Sequence, residues 1–140
     1  MAKVLLVEDS DGDILLARRA VRRLLGSTDE LDVCKNGVAA LQYLRPSGVT
    51  RSELPVLILV DLWMPVMDGF SLLMELRKIP ELARIPTVVL TTSDAETDKV
   101  RAYDANANAY LVKPVRYPDF EAVMKSLTDF WLEHNQTCEG

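Results

Sequence analysis

The sequence predicts a single α/β domain of the doubly wound type, in which five parallel strands alternate with five helices. Apolar runs of strand length recur along the 140 residues, and segments with helical spacing of apolar residues separate them. The connections are short, and no repeat, linker or low-complexity tract interrupts the alternation. Because crossovers between parallel strands are right-handed, the simplest strand order for five such units is 2-1-3-4-5.

Composition narrows the classes of function. A net charge of −5 and a pI near 4.9 disfavour a nucleic-acid surface, so we expect a protein partner. The longest apolar runs have strand length, which predicts neither a membrane span nor a signal peptide and therefore a cytoplasmic protein. Cys34 and Cys138 lack the spacing of a zinc site or a disulfide framework. We expect one domain over residues 1–140.

The first unit is a strand over 1–7 followed by a helix over 13–25. The strand segment, MAKVLLV, is apolar, and the helix is capped near Asp11 and closed by Gly26. The polar face of this helix carries four arginines, Arg18, Arg19, Arg22 and Arg23. Each like-charged pair four residues apart costs only about 0.2–0.5 kcal/mol, so we interpret this face as solvated. A docking surface for an acidic partner is the alternative.

The second unit is a strand over 31–34 and a helix over 37–44, and a loop over 46–53 follows. Apolar residues Val38, Leu41 and Leu44 are predicted to face inward from this helix.

The central strand is the run Val56-Leu57-Ile58-Leu59-Val60. It is too short for a buried helix and rich in β-branched residues, which indicates a parallel strand covered on both faces. Asp61 follows at once, and no helix starts there because Pro65 disfavours α geometry at Met64. Asp61 is therefore a candidate site residue. Asp68-Gly69 supplies a turn or N-cap before the next helix.

The last two units follow a connector bracketed by Pro80 and Pro86. They comprise a strand over 87–90, a poorly apolar helix over 94–105 and a strand over 109–112. A final helix opens at Pro118, which a first helical turn tolerates. Its apolar stripe is formed by Phe120, Met124, Leu127 and Trp131.

Candidate site residues directly follow four of the five predicted strands. They are Glu8 and Asp9 after the first strand, Asp61 after the third, Thr91 after the fourth and Lys113 after the fifth. In an open parallel sheet these strand ends share one edge, and ligands bind there where the strand order reverses. Each residue alone has an ordinary structural explanation, but their occurrence at four strand ends indicates a common site.

Electrostatics predict what this site binds. Two carboxylates about 4 Å apart repel by roughly 4 kcal/mol at an effective dielectric of 20, and Lys113 neutralises only one of three acids. Oxygen ligands without His or Cys select a hard divalent cation, Mg²⁺ by preference. A carboxylate beside Mg²⁺, a lysine and a hydroxyl is equipped to accept a phosphoryl group.

Four segments, VLLVEDS, VDLWMPVMDG, VVLTTS and AYLVKP, resemble in order and separation the receiver domains of two-component response regulators, which have a flavodoxin-like fold. The resemblance implies that Asp61 is the phosphoacceptor. It also implies that Glu8, Asp9, Asp61 and the backbone carbonyl of Trp63 hold Mg²⁺, with Mn²⁺ as the alternative ion.

The same resemblance assigns roles at the ends of the fourth and fifth strands. Thr91 and Lys113 would stabilise the phosphoryl group, and Thr91 and Tyr110 would form a switch pair in which the ring follows the hydroxyl. Lys113-Pro114 corresponds to the family's usual cis peptide, which costs little only because proline follows.

The opening VEDSDGDILLARRAV and the ending DFWL resemble the single-domain regulators of bacterial and cyanobacterial phytochromes. A sensor histidine kinase, specifically a phytochrome, is then the expected phosphoryl donor. No output domain is expected, so the chain would signal through protein contacts, not as an enzyme on other substrates. A homodimer using Val123, Phe130 and Trp131 is expected as well.

Three alternatives stay open. Another kinase could use the chain as a relay intermediate or as a regulator that binds a motor or adaptor. An aspartyl-nucleophile phosphatase shares the strand-end acid, but such enzymes ordinarily have a second Asp where this chain has Trp63. A nucleotide- or flavin-binding module is disfavoured because neither a P-loop nor a GxGxxG turn follows the first strand.

Overall fold

The computed structural model describes residues 3–45 and 53–138 and contains one five-stranded sheet. All neighbouring strands are parallel, and their order is 2-1-3-4-5, as the sequence predicts. The strands are β1 (Val4–Val7), β2 (Leu31–Cys34), β3 (Leu57–Val60), β4 (Thr87–Thr91) and β5 (Ala109–Val112). The helices are α1 (Asp11–Leu25), α2 (Gly37–Leu44), α3 (Gly69–Lys78), α4 (Glu96–Asp104) and α5 (Tyr117–Thr128), and a π-helical segment continues α5 over Asp129–His134.

Two apolar cores lie on the two faces of the sheet. Alternate residues of each strand point to opposite faces, so Leu5 and Val7 join one core while Val4 and Leu6 join the other. Helices α2, α3 and α4 supply the first core, and α1 and α5 supply the second. Strands β1 and β3 are buried along their whole length, which explains their unbroken apolar sequences.

Most element boundaries agree with the sequence prediction to within a few residues. The N-cap of α1 is Ser10, next to Asp11 near which the cap was predicted, and the Ser10 side chain accepts a hydrogen bond from the backbone N–H of Asp13. Gly26 closes this helix in the left-handed conformation at a φ of 85°. Asp68 caps α3 as expected. The predicted loop over 46–53 lies outside the described residues except for Glu53.

Helices α2 and α5 each depart from their predicted faces at one residue. In α2, Leu44 is buried and Leu41 packs against the core as predicted, but Val38 is 37% exposed, and Ala40 is buried in its place. In α5, the first three members of the predicted stripe are buried, but Trp131 is only half-buried. Trp131 lies in the π-helical segment, whose wider turns shift side chains off the 3.6-residue period.

None of the helices in the described part of the chain combines the length and apolarity needed to cross a membrane.

Candidate functional site

Three of the predicted acids meet at the carboxyl edge of the sheet. Val7 pairs with Val60, and the backbone N–H of Asp61 donates to the carbonyl of Val7 at 3.0 Å, so Asp61 lies next to the residue that follows β1. Glu8, Asp9 and Asp61 each bring a carboxylate oxygen within 4.8 Å of the others. The site therefore lies between β1 and β3, where the strand order reverses.

Lys113 joins this cluster from β5. Its backbone N–H donates to the carbonyl of Thr91 at 2.7 Å, which fixes the start of its side chain beside β4. The ammonium contacts Glu8 Oε2 at 3.0 Å and Asp61 Oδ2 at 3.4 Å, and the side chain is 9% exposed. The predicted convergence of Lys113 with two of the acids is thus present.

Asp13 is a fourth acid of the site that sequence reasoning missed. Its Oδ2 lies 2.9 Å from the Lys113 ammonium, a shorter contact than that of Asp61. An acid in a first helical turn is ordinarily explained by the helix dipole, so the sequence supplied no reason to place Asp13 in the site. The one available signal was its position in the first turn of α1, four residues after Asp9.

The electrostatics of the site are unbalanced without a cation. Burial and the neighbouring Asp61 charge together raise the pKa of the Glu8 carboxyl to about 7, although Lys113 acts in the opposite direction. Pairing with acids raises the pKa of Lys113 although burial alone would lower it. The charge of one ammonium is thus shared among several carboxylates. The three clustered acids offer only oxygen ligands, which fit Mg²⁺ or Mn²⁺.

Thr91 and Tyr110 lie on neighbouring strands, and both reach the segment after β4. Thr91 is fully buried, and its hydroxyl accepts a hydrogen bond from the Ser93 N–H at 3.4 Å. The Tyr110 hydroxyl donates to the Ser93 carbonyl at 2.9 Å. Burial raises the pKa of Tyr110, so the hydroxyl remains a donor at neutral pH. Both side chains of the predicted switch pair therefore contact Ser93.

Trp63 lies two residues beyond Asp61 and is 54% exposed. Its indole N–H donates to Asp98 Oδ2 at 3.3 Å, and the Ser93 hydroxyl donates to the same oxygen at 2.6 Å. Asp98 thereby joins the loop after β3 to the loop after β4, a link that the sequence did not predict.

One expected backbone feature is absent. The peptide bond between Lys113 and Pro114 is trans, whereas the resemblance implied a cis bond. A trans bond is the default even before proline, being favoured by about 0.5–1 kcal/mol.

The predicted partner surface at the end of the chain is partly exposed. Phe130 is 50% exposed, and its ring packs edge-on against Trp131 with centroids 4.9 Å apart. Val123 and Trp131 are half-buried and pack against the core beneath α1 and α5.

Comparison with known proteins agrees with this geometry. The family described as response regulator receiver domain matches residues 4–125. Response regulator Rcp1 of Synechocystis sp. (strain PCC 6803) is 39% identical over 132 residues, which cover 93% of this chain and 88% of that protein. The probable methanogenesis regulatory protein FilR2 of Methanothrix harundinacea is 37% identical over 134 residues, covering 96% and 86%.

Solved structures of response regulators also resemble this chain. The phosphorylated cyanobacterial phytochrome response regulator RcpA superposes with a TM-score of 0.83 at 36% identity, covering 97% of this chain and 98% of that chain. The Mn²⁺-bound form of Rcp1 superposes with a TM-score of 0.80 at 37% identity, covering 96% and 97%. With the fold, the acidic edge and the family match in agreement, this chain belongs to the response regulator receiver domains.

Proposed function

We propose that the chain is the phosphoacceptor of a two-component system and that Asp61 carries the phosphoryl group. The observation that supports this assignment most strongly is the position of Asp61. Its carboxylate lies in a cluster with Glu8 and Asp9, and the buried Lys113 ammonium is 3.4 Å from its Oδ2. A carboxylate in contact with a fixed cation, at the edge of a sheet where ligands bind, is placed to act as a nucleophile.

Each residue of the site has a separate role in phosphoryl transfer. An oxygen of Asp61 forms the bond to phosphorus while the bond from phosphorus to the donor's imidazole nitrogen breaks, and that nitrogen keeps the electron pair. Lys113 and the Thr91 hydroxyl stabilise the charge on the equatorial oxygens. Glu8, Asp9, Asp61 and the Trp63 carbonyl would hold Mg²⁺, and the bound ion would neutralise charge on the incoming phosphoryl group.

The resting contacts favour this nucleophile. The backbone N–H of Leu62 donates to Asp61 Oδ1 at 2.8 Å, whereas Oδ2 faces Lys113. A hydrogen bond to one oxygen holds the carboxylate in a single orientation, which reduces the entropic cost of reaching the transition state.

The test is the mass of the intact protein after incubation with acetyl phosphate, with and without Mg²⁺. We expect a Mg²⁺-dependent gain of one phosphoryl group that Asp61→Asn abolishes. Asp104→Asn, which removes the same charge from the exposed end of α4, serves as the control and should retain the gain. A folded wild-type protein that binds Mg²⁺ and gains no mass would contradict the proposal.

We further propose that the phosphoryl donor is a phytochrome-type sensor histidine kinase. The names of two similar proteins support it, since RcpA is a cyanobacterial phytochrome response regulator and RtBRR, 37% identical with a TM-score of 0.70, is a bacteriophytochrome response regulator. Transfer rates from a panel of autophosphorylated kinases should be highest for a phytochrome kinase. Faster transfer from an unrelated kinase would instead favour a relay or adaptor role.

We also propose that the chain forms a homodimer through Val123, Phe130 and Trp131. The exposed half of Phe130 supplies an apolar contact next to the Trp131 ring. Sedimentation at micromolar concentrations should show a dimer for the phosphorylated or the unphosphorylated protein, and Phe130→Ala should weaken it. A monomer in both states would contradict the proposal.

A further inference from the structure

We propose that Asp13 is a positioning residue that keeps the Lys113 ammonium paired when a cation takes Glu8 and Asp61, and that it thereby strengthens cation binding by the site. The inference rests on the proposed function, because it concerns the same acidic cluster. It adds a residue of α1 that the geometry of the site singles out.

The Lys113 ammonium has three N–H donors, and the structure gives it three carboxylate partners. These contacts are 2.9 Å to Asp13, 3.0 Å to Glu8 and 3.4 Å to Asp61. Two of the three partners belong to the acidic cluster whose oxygens lie within 4.8 Å of one another, but Asp13 does not. Asp13 is therefore the partner that can keep the ammonium when a cation takes the other two.

The position of Asp13 is fixed independently of Lys113. Its backbone N–H donates to the Ser10 hydroxyl at 3.3 Å within the N-cap of α1. The carboxylate is 37% exposed, whereas the side chain of Lys113 is 9% exposed, so Asp13 pairs with the lysine from the solvent side of the site. The ammonium therefore has a partner on α1 in addition to Glu8 and Asp61.

Competition between cations determines the sign of the effect. A divalent cation would compete with the Lys113 ammonium for the carboxylates of Glu8 and Asp61, so a further partner for the ammonium favours the divalent cation. Removing the charge of Asp13 leaves the lysine to pair more strongly with those two acids. It also removes an attractive charge, so both effects weaken binding of the divalent cation.

The experiment measures the Kd for Mn²⁺ in the unphosphorylated protein from the electron paramagnetic resonance signal of the free ion. We expect Asp13→Asn, which keeps the size of the side chain, to raise the Kd by about three- to tenfold. Asp11→Asn is the matched control, because Asp11 lies on the same first turn but pairs with Lys35 at 2.6 Å. It should change the Kd by less than about twofold.

The same substitution in a Lys113→Met variant distinguishes the effect that Asp13 exerts through the lysine from its direct attraction of the cation. In Lys113→Met, Asp13→Asn should raise the Kd by much less than it does in the wild type, because no ammonium remains to be held. Equal factors in both backgrounds would overturn the proposal, as would equal effects of Asp13→Asn and Asp11→Asn, or a wild type that binds no Mn²⁺ at millimolar concentration. Circular dichroism checks that each variant is folded.

The readout does not depend on phosphoryl transfer. If the wild type binds Mn²⁺ but gains no mass from acetyl phosphate, the proposed function fails while the role of Asp13 is still decided by the Kd values.

Discussion

At the scale of single residues, burial and the Asp61 charge act together on the pKa of Glu8, and Lys113 opposes them. The residue is 1% exposed, and its pKa rises to about 7 because burial and Asp61 both disfavour the carboxylate. A carboxyl group with a higher pKa in the folded state binds its proton more tightly there. Its contribution to stability is therefore fully present below the unfolded pKa, near 4.5, and is lost as the pH rises through about 7.

This sign leads to a prediction for the metal-free protein. In the presence of EDTA, the unfolding free energy of the wild type minus that of Glu8→Gln should fall between pH 5 and pH 7.5, by on the order of 3 kcal/mol at most. Urea unfolding at several pH values measures it. The control Glu81→Gln removes a charge from an exposed site and should give a difference without this trend. A flat difference for Glu8→Gln would contradict the prediction.

Val66 is a second informative residue, because its backbone adopts a conformation that β-branched side chains disfavour. It has a φ of 69°, and the N–H of Met67 donates to the carbonyl of Pro65 at 2.7 Å across it. This three-residue turn lies in the loop that follows Asp61. Positive φ costs a β-branched residue roughly 1–2 kcal/mol, whereas asparagine tolerates it.

We therefore expect Val66→Asn to raise the free energy of unfolding by about 1 kcal/mol. Val66 is 82% exposed, so little apolar burial is lost with the substitution. Val115→Asn is the matched control, because Val115 is fully exposed and has no positive φ. Chemical denaturation should show a higher unfolding midpoint for Val66→Asn than for the wild type, and an unchanged midpoint for Val115→Asn. Equal midpoints for the two variants would show that the turn is not strained.

At the scale of elements, α4 is held to the fold by few apolar contacts. Ala102 is its one buried residue, and Ala95 at its N-cap makes no side-chain capping hydrogen bond. Asp98 receives hydrogen bonds from Trp63 and Ser93. One turn further on, Arg101 stacks on the Phe70 ring at 4.0 Å from its centroid. Polar and cation–π contacts therefore supply much of the attachment of α4 to the loops beside the site.

Removing Asp98 should loosen this helix selectively. We expect Asp98→Ala to increase amide hydrogen exchange in α4 by about tenfold, which corresponds to about 1.4 kcal/mol, while exchange in α5 stays unchanged. Glu96→Ala removes the same charge from the same first turn at an exposed position and is the control. Equal protection of α4 in both variants would mean that other contacts hold the helix.

At the scale of the whole molecule, Arg77 joins three segments at the edge of the sheet opposite the site. Its guanidinium donates to the carbonyls of Ala83, Ile85 and Asn106 at 2.8–3.3 Å and to the side chain of Asn108 at 3.1 Å. Burial lowers the pKa of Arg77. These acceptors belong to the connector before β4 and to the turn before β5, so one side chain positions the start of both strands.

Arg77→Met should cost about 2–4 kcal/mol of unfolding free energy, because it leaves several carbonyls without a donor. Arg77→Lys should fall between methionine and the wild type, since an ammonium cannot match the planar arrangement of five donors. The comparison variant is Arg22→Met on the exposed face of α1. A loss for Arg77→Met no larger than that for Arg22→Met would rule out this role.

Much of the fold could be predicted from local sequence. Parallel strands buried on both faces must be continuously apolar, and residues 57–60 show this directly. Capping residues and Gly26 mark helix ends because their requirements are local. The convergence of Glu8, Asp9, Asp61 and Lys113 followed from topology, since parallel strands bring their carboxyl ends to one edge.

Only the tertiary structure decided which side chains join these elements. Asp13 and Lys113 are 100 residues apart in sequence, and Trp63 and Asp98 are 35 apart. No local pattern encodes such a pair, because it depends on the crossing of elements and on rotamers selected by packing. The exposure of Val38 likewise depends on which face α2 turns towards the rest of the domain. The sequence by itself determined the order of the elements and the edge that carries the chemistry, because periodicity and strand direction are local, whereas distances between side chains depend on packing across the whole domain.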